Sequence, residues 1–188
     1  STTDGDWLGN IPFEELPNLY NPPEGLIVTA NQRIVSNQYQ YTQMSRDAAT
    51  PWRARRIYDL LSKKDKITMD DVRDAQLDAY NIPLSLLAKA IVADGLVSPE
   101  TLSVLKDWDG KMVADSRGAV LANEIRLCVG NKMAEDNKPA PAFLVRERVV
   151  ERAIRENLTR WLPAGYRNFG EVYKACDGSV RTSLAASK

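Results

Sequence analysis

The chain has 188 residues, of which 44% are hydrophobic and 27% charged, and its 25 basic side chains balance 25 acidic ones. This length and composition are typical of one or two globular domains with a substantial core. A net charge of zero gives no electrostatic reason to expect nucleic acid or an anionic membrane as partner, and no apolar run is long enough to span a bilayer.

The chain contains no histidine, which limits the kinds of catalytic and metal site that it can form. Without histidine the chain cannot supply a Ser-His-Asp or Cys-His arrangement, nor a histidine-ligated metal site. Its two cysteines, Cys128 and Cys176, both fall in stretches with a helical pattern. They are either small buried apolar side chains or a disulfide, and the sequence leaves this choice open.

Residues 1–48 predict an extended, irregular segment. The run from Asn21 to Gly25 contains two prolines and a glycine, so it predicts a rigid turn. Leu26–Ala30 is apolar and partly β-branched, which predicts a short strand. Because neither face alternates cleanly to polar, we expect both faces of this strand to be covered. Asn31 follows directly, so the strand would end on a neutral amide donor.

From residue 49 onward the pattern is helical, with apolar residues at helical spacing between capping and stop signals. Thr50 and Pro51 predict a helix start, and Thr68 with Asp71 resembles a capping box. The predicted helices cover about residues 50–63, 68–80, 83–93, 98–110, 116–133, 142–162 and 168–186. The stretch 142–162 is either one helix or a bent pair, and the last helix carries a break signal at Asp177-Gly178. That helix carries no stop signal, so we expect the all-helical domain, residues 49–188, to be truncated at its C-terminus.

Several segments closely resemble the penicillin amidase (penicillin acylase) family of N-terminal-nucleophile hydrolases. They are Trp7–Pro17, Asn21–Asn31, Thr50–Leu61, Ile67–Val72 and Trp108–Gly110. The resemblance extends over most of the chain, but corresponds only to the middle of the large (beta) subunit. It implies that residues 1–48 belong to the core of a larger αββα hydrolase. The predicted fold class for the chain itself is mainly α, a helical bundle-like domain after a short strand or extended segment.

The resemblance also implies an activity for the parent enzyme. Such an enzyme cleaves a linear amide, such as the acyl side chain of a penicillin or an acyl homoserine lactone, through an acyl-enzyme on an N-terminal serine. It arises from a precursor that cuts itself in two in the periplasm. Ser1 is followed by Thr-Thr-Asp and not by the family's nucleophile motif, so we interpret it as a boundary. The expected partners are the amide substrate and the other precursor segments; no cofactor, nucleic acid or membrane is expected, and the chain alone should be inactive.

Asn31 matches the family's oxyanion-hole asparagine. Acyl transfer needs a neutral donor aimed at the oxygen of the tetrahedral intermediate, and an asparagine amide can provide it. The alternative interpretation is an asparagine that merely ends a strand and opens a turn.

Arg53 is the second candidate. Arg53, Arg55 and Arg56 crowd a helix start, where cations are unfavourable, and Asp59 can reach only Arg55 or Arg56 within the helix. The position of Arg53, 22 residues after Asn31, matches the family's active-site arginine. That residue would orient the catalytic N-terminus and the asparagine. The alternative is a structural salt bridge to another segment.

Two positions depart from the family pattern. Gln32 replaces the second of a commonly paired set of asparagines, and Thr42 stands where calcium-binding members have an aspartate. Because a hydroxyl is a poor substitute for a carboxylate on Ca²⁺, no metal site is predicted.

The rival hypothesis is a non-catalytic helical interaction module. A large uncovered apolar surface would favour the fragment hypothesis over it. Phosphate binding by the arginines of residues 146–155 is disfavoured, because glutamates interleave with them as on a solvated helix face.

Overall fold

The computed structural model describes residues 9–41, 44, 48–136 and 149–186, with side chains up to residue 182. The chain consists of two compact units, residues 1–75 and 76–188. The predicted division after residue 48 concerns domains of a larger enzyme and stays a prediction. The predicted fold class is confirmed, because the described residues are mainly helical.

In the described residues of the N-terminal unit, irregular chain from residue 9 onward precedes two helices. A 3₁₀ turn spans Phe13–Glu15, α1 spans Trp52–Leu61 and α2 spans Met69–Gln76. The predicted cap at Thr50 is wrong: Pro51 occupies the N-cap position, and no side chain caps α1. The capping box of α2 forms as predicted. The Thr68 amide donates to the Asp71 carboxylate (2.9 Å), and the Asp71 amide donates to the Thr68 hydroxyl (3.2 Å).

The predicted strand at Leu26–Ala30 does not form a ladder within the described residues. The segment has no regular secondary structure, and the nearest sheet-like contact is an isolated parallel bridge between Gln32 and Ala49. Ala30 is 8% exposed whereas Ile27 is 56% exposed, so the described residues do not cover both faces of this segment, and its covering by other parts of a larger enzyme stays a prediction. A strand needs neighbouring strands to supply its hydrogen bonds. The described residues provide side-chain partners instead.

The second unit is a helical bundle with two short helices between its long ones. Its helices are α3 (Ile82–Asp94), α4 (Pro99–Asp107), α5 (Arg117–Asp136), α6 (Val150–Arg155) and α7 (Phe169–Ala186), with a 3₁₀ turn at Thr159–Trp161. The predicted helix over 142–162 is seen only from residue 149, and its earlier part lies outside the described residues. Helix α5 packs against α3, α4, α6 and α7, so it forms the centre of the bundle.

The bundle core follows the predicted helical stripes. Leu84, Leu87, Ala88 and Ile91 of α3 are buried, as are Leu121, Ile125 and Val129 of α5. Hydroxyl and amide side chains cap the helix starts, and each accepts from an amide three residues on. The caps are Asn81, Ser98, Ser116 and Asn168. Gly95 ends α3 in the left-handed conformation that favours glycine.

Helix α7 runs through Asp177 and Gly178 without the predicted break. Asp177 is 4% exposed and accepts from the Ser98 amide (2.9 Å) and the Thr101 hydroxyl, both at the start of α4. A buried carboxylate at a helix N-terminus is stabilised by the helix dipole and by these donors. The Asp177 carboxylate therefore links α7 to the start of α4. Cys176, beside it, forms a disulfide with Cys128 of α5, which decides the question that the sequence left open.

Candidate functional site

Asn31 has a left-handed backbone, with φ of +61°. Asparagine is among the few residues other than glycine that tolerate this conformation. The Ala49 amide donates to the Asn31 carbonyl (2.7 Å), which ties the turn to the chain just before α1. The side chain therefore projects from a defined turn on the surface of the N-terminal unit.

Arg53, in the first turn of α1, contacts this turn directly. Its Nη2 donates to the Asn31 Oδ1 (2.7 Å) and to the Ala30 carbonyl (2.8 Å). Among the described residues, Arg53 makes no ion pair with a carboxylate. The two residues that the sequence singled out are thus brought together, and the predicted alternative of a salt bridge finds no partner in the described part of the chain.

The contact determines which way the Asn31 amide faces. A guanidinium has only donors, so it requires the amide oxygen and not the nitrogen. The Oδ1 therefore faces Arg53 and the Nδ2 group points the other way. Within the described residues no acceptor takes the Nδ2 protons, and Asn31 is exposed. The arrangement presents a fixed, neutral hydrogen-bond donor.

The neighbouring arginines have other surroundings. Arg55 pairs with Asp59 on the exposed side of α1, with 2.9 Å between Nε and Oδ1. This is one of the two pairings that the helical spacing allowed. The two arginines thus differ in where their partners lie. Arg55 pairs with a residue of its own helix, whereas Arg53 binds Ala30 and Asn31 in the turn that precedes α1.

Sequence reasoning missed two side chains that hold the segment before Asn31. The Gln32 amide accepts from the Ala30 amide (2.6 Å) and donates to the Val28 carbonyl (2.8 Å). The Tyr58 hydroxyl donates to the Leu26 carbonyl (3.3 Å). The departure of Gln32 from the family pattern was the only sequence signal for the first contact. Nothing in the sequence around Tyr58 indicated its contact with Leu26.

The described residues contain no cluster of three or more side chains suited to hold a metal ion. Thr42, where the family resemblance raised the question of calcium, lies outside the described residues, as does Ser1. In the helices described here, none is both long and apolar enough to cross a bilayer. The candidate site in the described part of the chain consists of the Asn31 amide, the Arg53 guanidinium and the Ala30 carbonyl.

Comparison with known proteins identifies the family of the chain. The sequence profile described as Penicillin amidase matches residues 1–187. The chain is 34% identical over 125 residues to the penicillin acylase 2 proenzyme of Pseudomonas sp. (strain SE83). That alignment covers 64% of this chain and 16% of the relative, so the chain spans only a small part of the relative's length. Because the profile extends over nearly every residue, the chain belongs to the penicillin amidase family.

Proposed function

We propose that this chain is part of a precursor hydrolase that cleaves linear amide bonds, and that Asn31 donates to the oxyanion of the reaction. The observation that carries the proposal is the contact of Arg53 with Asn31, which turns the amide nitrogen outward. The acyl group in question is that of a penicillin, an acyl homoserine lactone or a similar amide. Residues 1–48 belong to the αββα core of the periplasmic or secreted enzyme, and residues 49–188 to a helical domain.

The proposed reaction uses a serine in another part of the precursor. Its hydroxyl attacks the substrate carbonyl carbon while its own α-amine takes the proton. The carbonyl oxygen becomes an oxyanion, and the Asn31 Nδ2 donates to it. Collapse of the intermediate breaks the C–N bond, the amine leaves with the proton, and water then hydrolyses the serine ester. Arg53 holds the amide in place, and its positive charge lies close to the developing negative charge.

Exposed apolar side chains in the N-terminal unit support this proposal over the rival interaction module. Phe13 is 81% exposed, Tyr20 93% and Ile27 56%, and all three precede Asn31. Side chains of this size favour burial, so their exposure is typical of a surface that other parts of a protein cover. The fragment hypothesis calls for such a surface, whereas a self-standing helical module does not.

The decisive test is Asn31→Ala in the complete precursor, measured on a panel of chromogenic N-acyl amides. We expect kcat to fall roughly 10²- to 10³-fold with KM little changed, as for other oxyanion donors. Asn21→Ala is the matched control, because Asn21 also has a positive φ (+43°) and reports the cost of backbone strain alone. Near-normal turnover of Asn31→Ala would remove Asn31 from the mechanism. Amide hydrolysis by the 188-residue chain alone would contradict the proposal that the chain lacks the nucleophile.

A further inference from the structure

The side chain of Gln32 forms a clamp on the backbone that leads into Asn31. Its Oε1 accepts from the Ala30 amide at 2.6 Å, and its Nε2 donates to the Val28 carbonyl at 2.8 Å. A neighbouring strand would use one acceptor and one donor in the same way. The side chain is half-buried, so water competes less for these groups than at a fully exposed position.

The clamp acts on a segment with little other support. Among the described residues, no strand pairs with Val28–Ala30, and Asn31 itself has a left-handed backbone. Within the described residues, this turn is held by the Gln32 clamp on its N-terminal side, by the Ala49 amide on the Asn31 carbonyl, and by Arg53 on the Asn31 side chain. Arg53 also binds the Ala30 carbonyl, so Ala30 is held through its amide by Gln32 and through its carbonyl by Arg53.

The chemistry of the clamp is specific to a long primary amide. It needs an acceptor for Ala30 and a donor for Val28 on one planar group. Glutamate offers acceptors only, and asparagine is one methylene shorter, so neither can reproduce both bonds at the present distances. At this position the family resemblance leads one to expect an asparagine, and this chain has the longer amide.

We infer that Gln32 is a positioning residue: by clamping Val28 and Ala30, it holds Asn31 in the orientation in which its amide nitrogen faces the reacting carbonyl. The inference rests on the proposed role of Asn31. Gln32 does not touch the substrate, and its effect on turnover passes entirely through Asn31.

The test is a double-mutant cycle in the complete precursor, with kcat and KM measured on the same amides. We expect Gln32→Ala to lower kcat about 10-fold with KM unchanged, as expected when two hydrogen bonds that orient a transition-state donor are lost. On the Asn31→Ala background the same substitution should cause no further loss. Gln38→Ala, which alters an exposed glutamine of the same unit, is the control and should leave both constants unchanged.

Gln32→Glu covers the case in which the alanine variant does not mature, because it keeps the size of the side chain and one of the two bonds. We expect a smaller fall in kcat, again absent on the Asn31→Ala background. An equal loss on both backgrounds would overturn the inference, as would wild-type kcat combined with a lowered melting temperature. If Asn31→Ala is itself fully active, the proposed function fails; if it is impaired and the Gln32 effect is additive, only the role of Gln32 fails.

Discussion

The guanidinium of Arg53 and the side-chain oxygen of Asn31 lie 2.7 Å apart, although 22 residues separate them in sequence. Arg53 sits in the first turn of α1, where the helix dipole disfavours a cation and the first turn contains no acid. The contact compensates for this unfavourable position. It also gives the Arg53 guanidinium hydrogen-bond acceptors that α1 itself does not provide.

Replacing Arg53 should therefore impair turnover more than stability. In the complete precursor we expect Arg53→Ala to lower kcat by about 10- to 100-fold, because hydrogen bonds to a charged donor contribute about 1.5–3 kcal/mol. Arg53→Lys should retain part of the activity, since an ammonium keeps the charge but not the planar fork. Steady-state kinetics and the extent of precursor cleavage measure both effects.

Arg55→Ala provides the matched control for this prediction. It removes a cation from the same helix start, but Arg55 faces solvent and pairs with Asp59. Exposed pairs of this kind contribute about 0.2–1 kcal/mol, so turnover should be unchanged. Equal losses for Arg53→Ala and Arg55→Ala would show that helix charge, and not contact with Asn31, is responsible.

Two glycines in helices predict opposite responses to alanine. A Cβ on Gly118 of α5 would lie 2.5 Å from Cγ of Trp108, whose ring nitrogen is held by the Lys111 carbonyl. Gly118→Ala should therefore destabilise the chain by about 1–3 kcal/mol through overpacking. A Cβ on Gly178 of α7 meets no atom within 4 Å, so Gly178→Ala should stabilise it by up to about 1 kcal/mol. Urea unfolding followed by circular dichroism measures the change in the free energy of unfolding of each variant. Changes of the same sign for the two variants would contradict the packing described for these glycines.

The disulfide between Cys128 and Cys176 should make the stability of the helical unit depend on redox conditions. It closes a sequence separation of 48 residues between α5 and α7. Loss of such a crosslink costs about 2–4 kcal/mol, so dithiothreitol should lower the urea midpoint of the wild-type chain. A Cys128→Ala/Cys176→Ala variant should be insensitive to the reductant. Two reactive thiols in the untreated folded protein would contradict this prediction.

The capping box of α2 should titrate at unusually low pH. The Lys64 ammonium, and next the Thr68 amide and hydroxyl, lower the pKa of Asp71 from 3.8 to about 2. Because the folded pKa lies below the unfolded one, the contribution of Asp71 to stability is complete above about pH 4 and is lost as the pH falls towards 2. A ¹³C NMR titration of the Asp71 carboxyl should show this pKa. Lys64→Ala should raise it and Lys63→Ala should not; an Asp71 pKa near 3.8 in the wild type would contradict the prediction.

Local patterns were sufficient to predict much of the helical part. The apolar stripe of α3, the helix starts predicted near residues 98 and 116 and the capping box at Thr68 depend on neighbours within a few residues, and the structure confirms each. The choice of Asn31 and Arg53 as candidates also came from the sequence, through a motif and a local rule that Arg53 breaks. Their catalytic roles stay predictions.

Tertiary contacts decided what those patterns could not. Leu26–Ala30 has the composition of a strand, but a strand needs partners from elsewhere in the chain, and Gln32 and Tyr58 side chains bind its backbone instead. Asp177 and Gly178 carry a break signal, yet α7 continues because the carboxylate finds its donors at the start of α4, 76 and 79 residues away. The sequence by itself determined where helices form and which side chains could do chemistry, since those depend on neighbours along the chain. Which groups pair, including the two cysteines and the arginine with its asparagine, was decided only where the folded backbone brings distant residues within bonding distance.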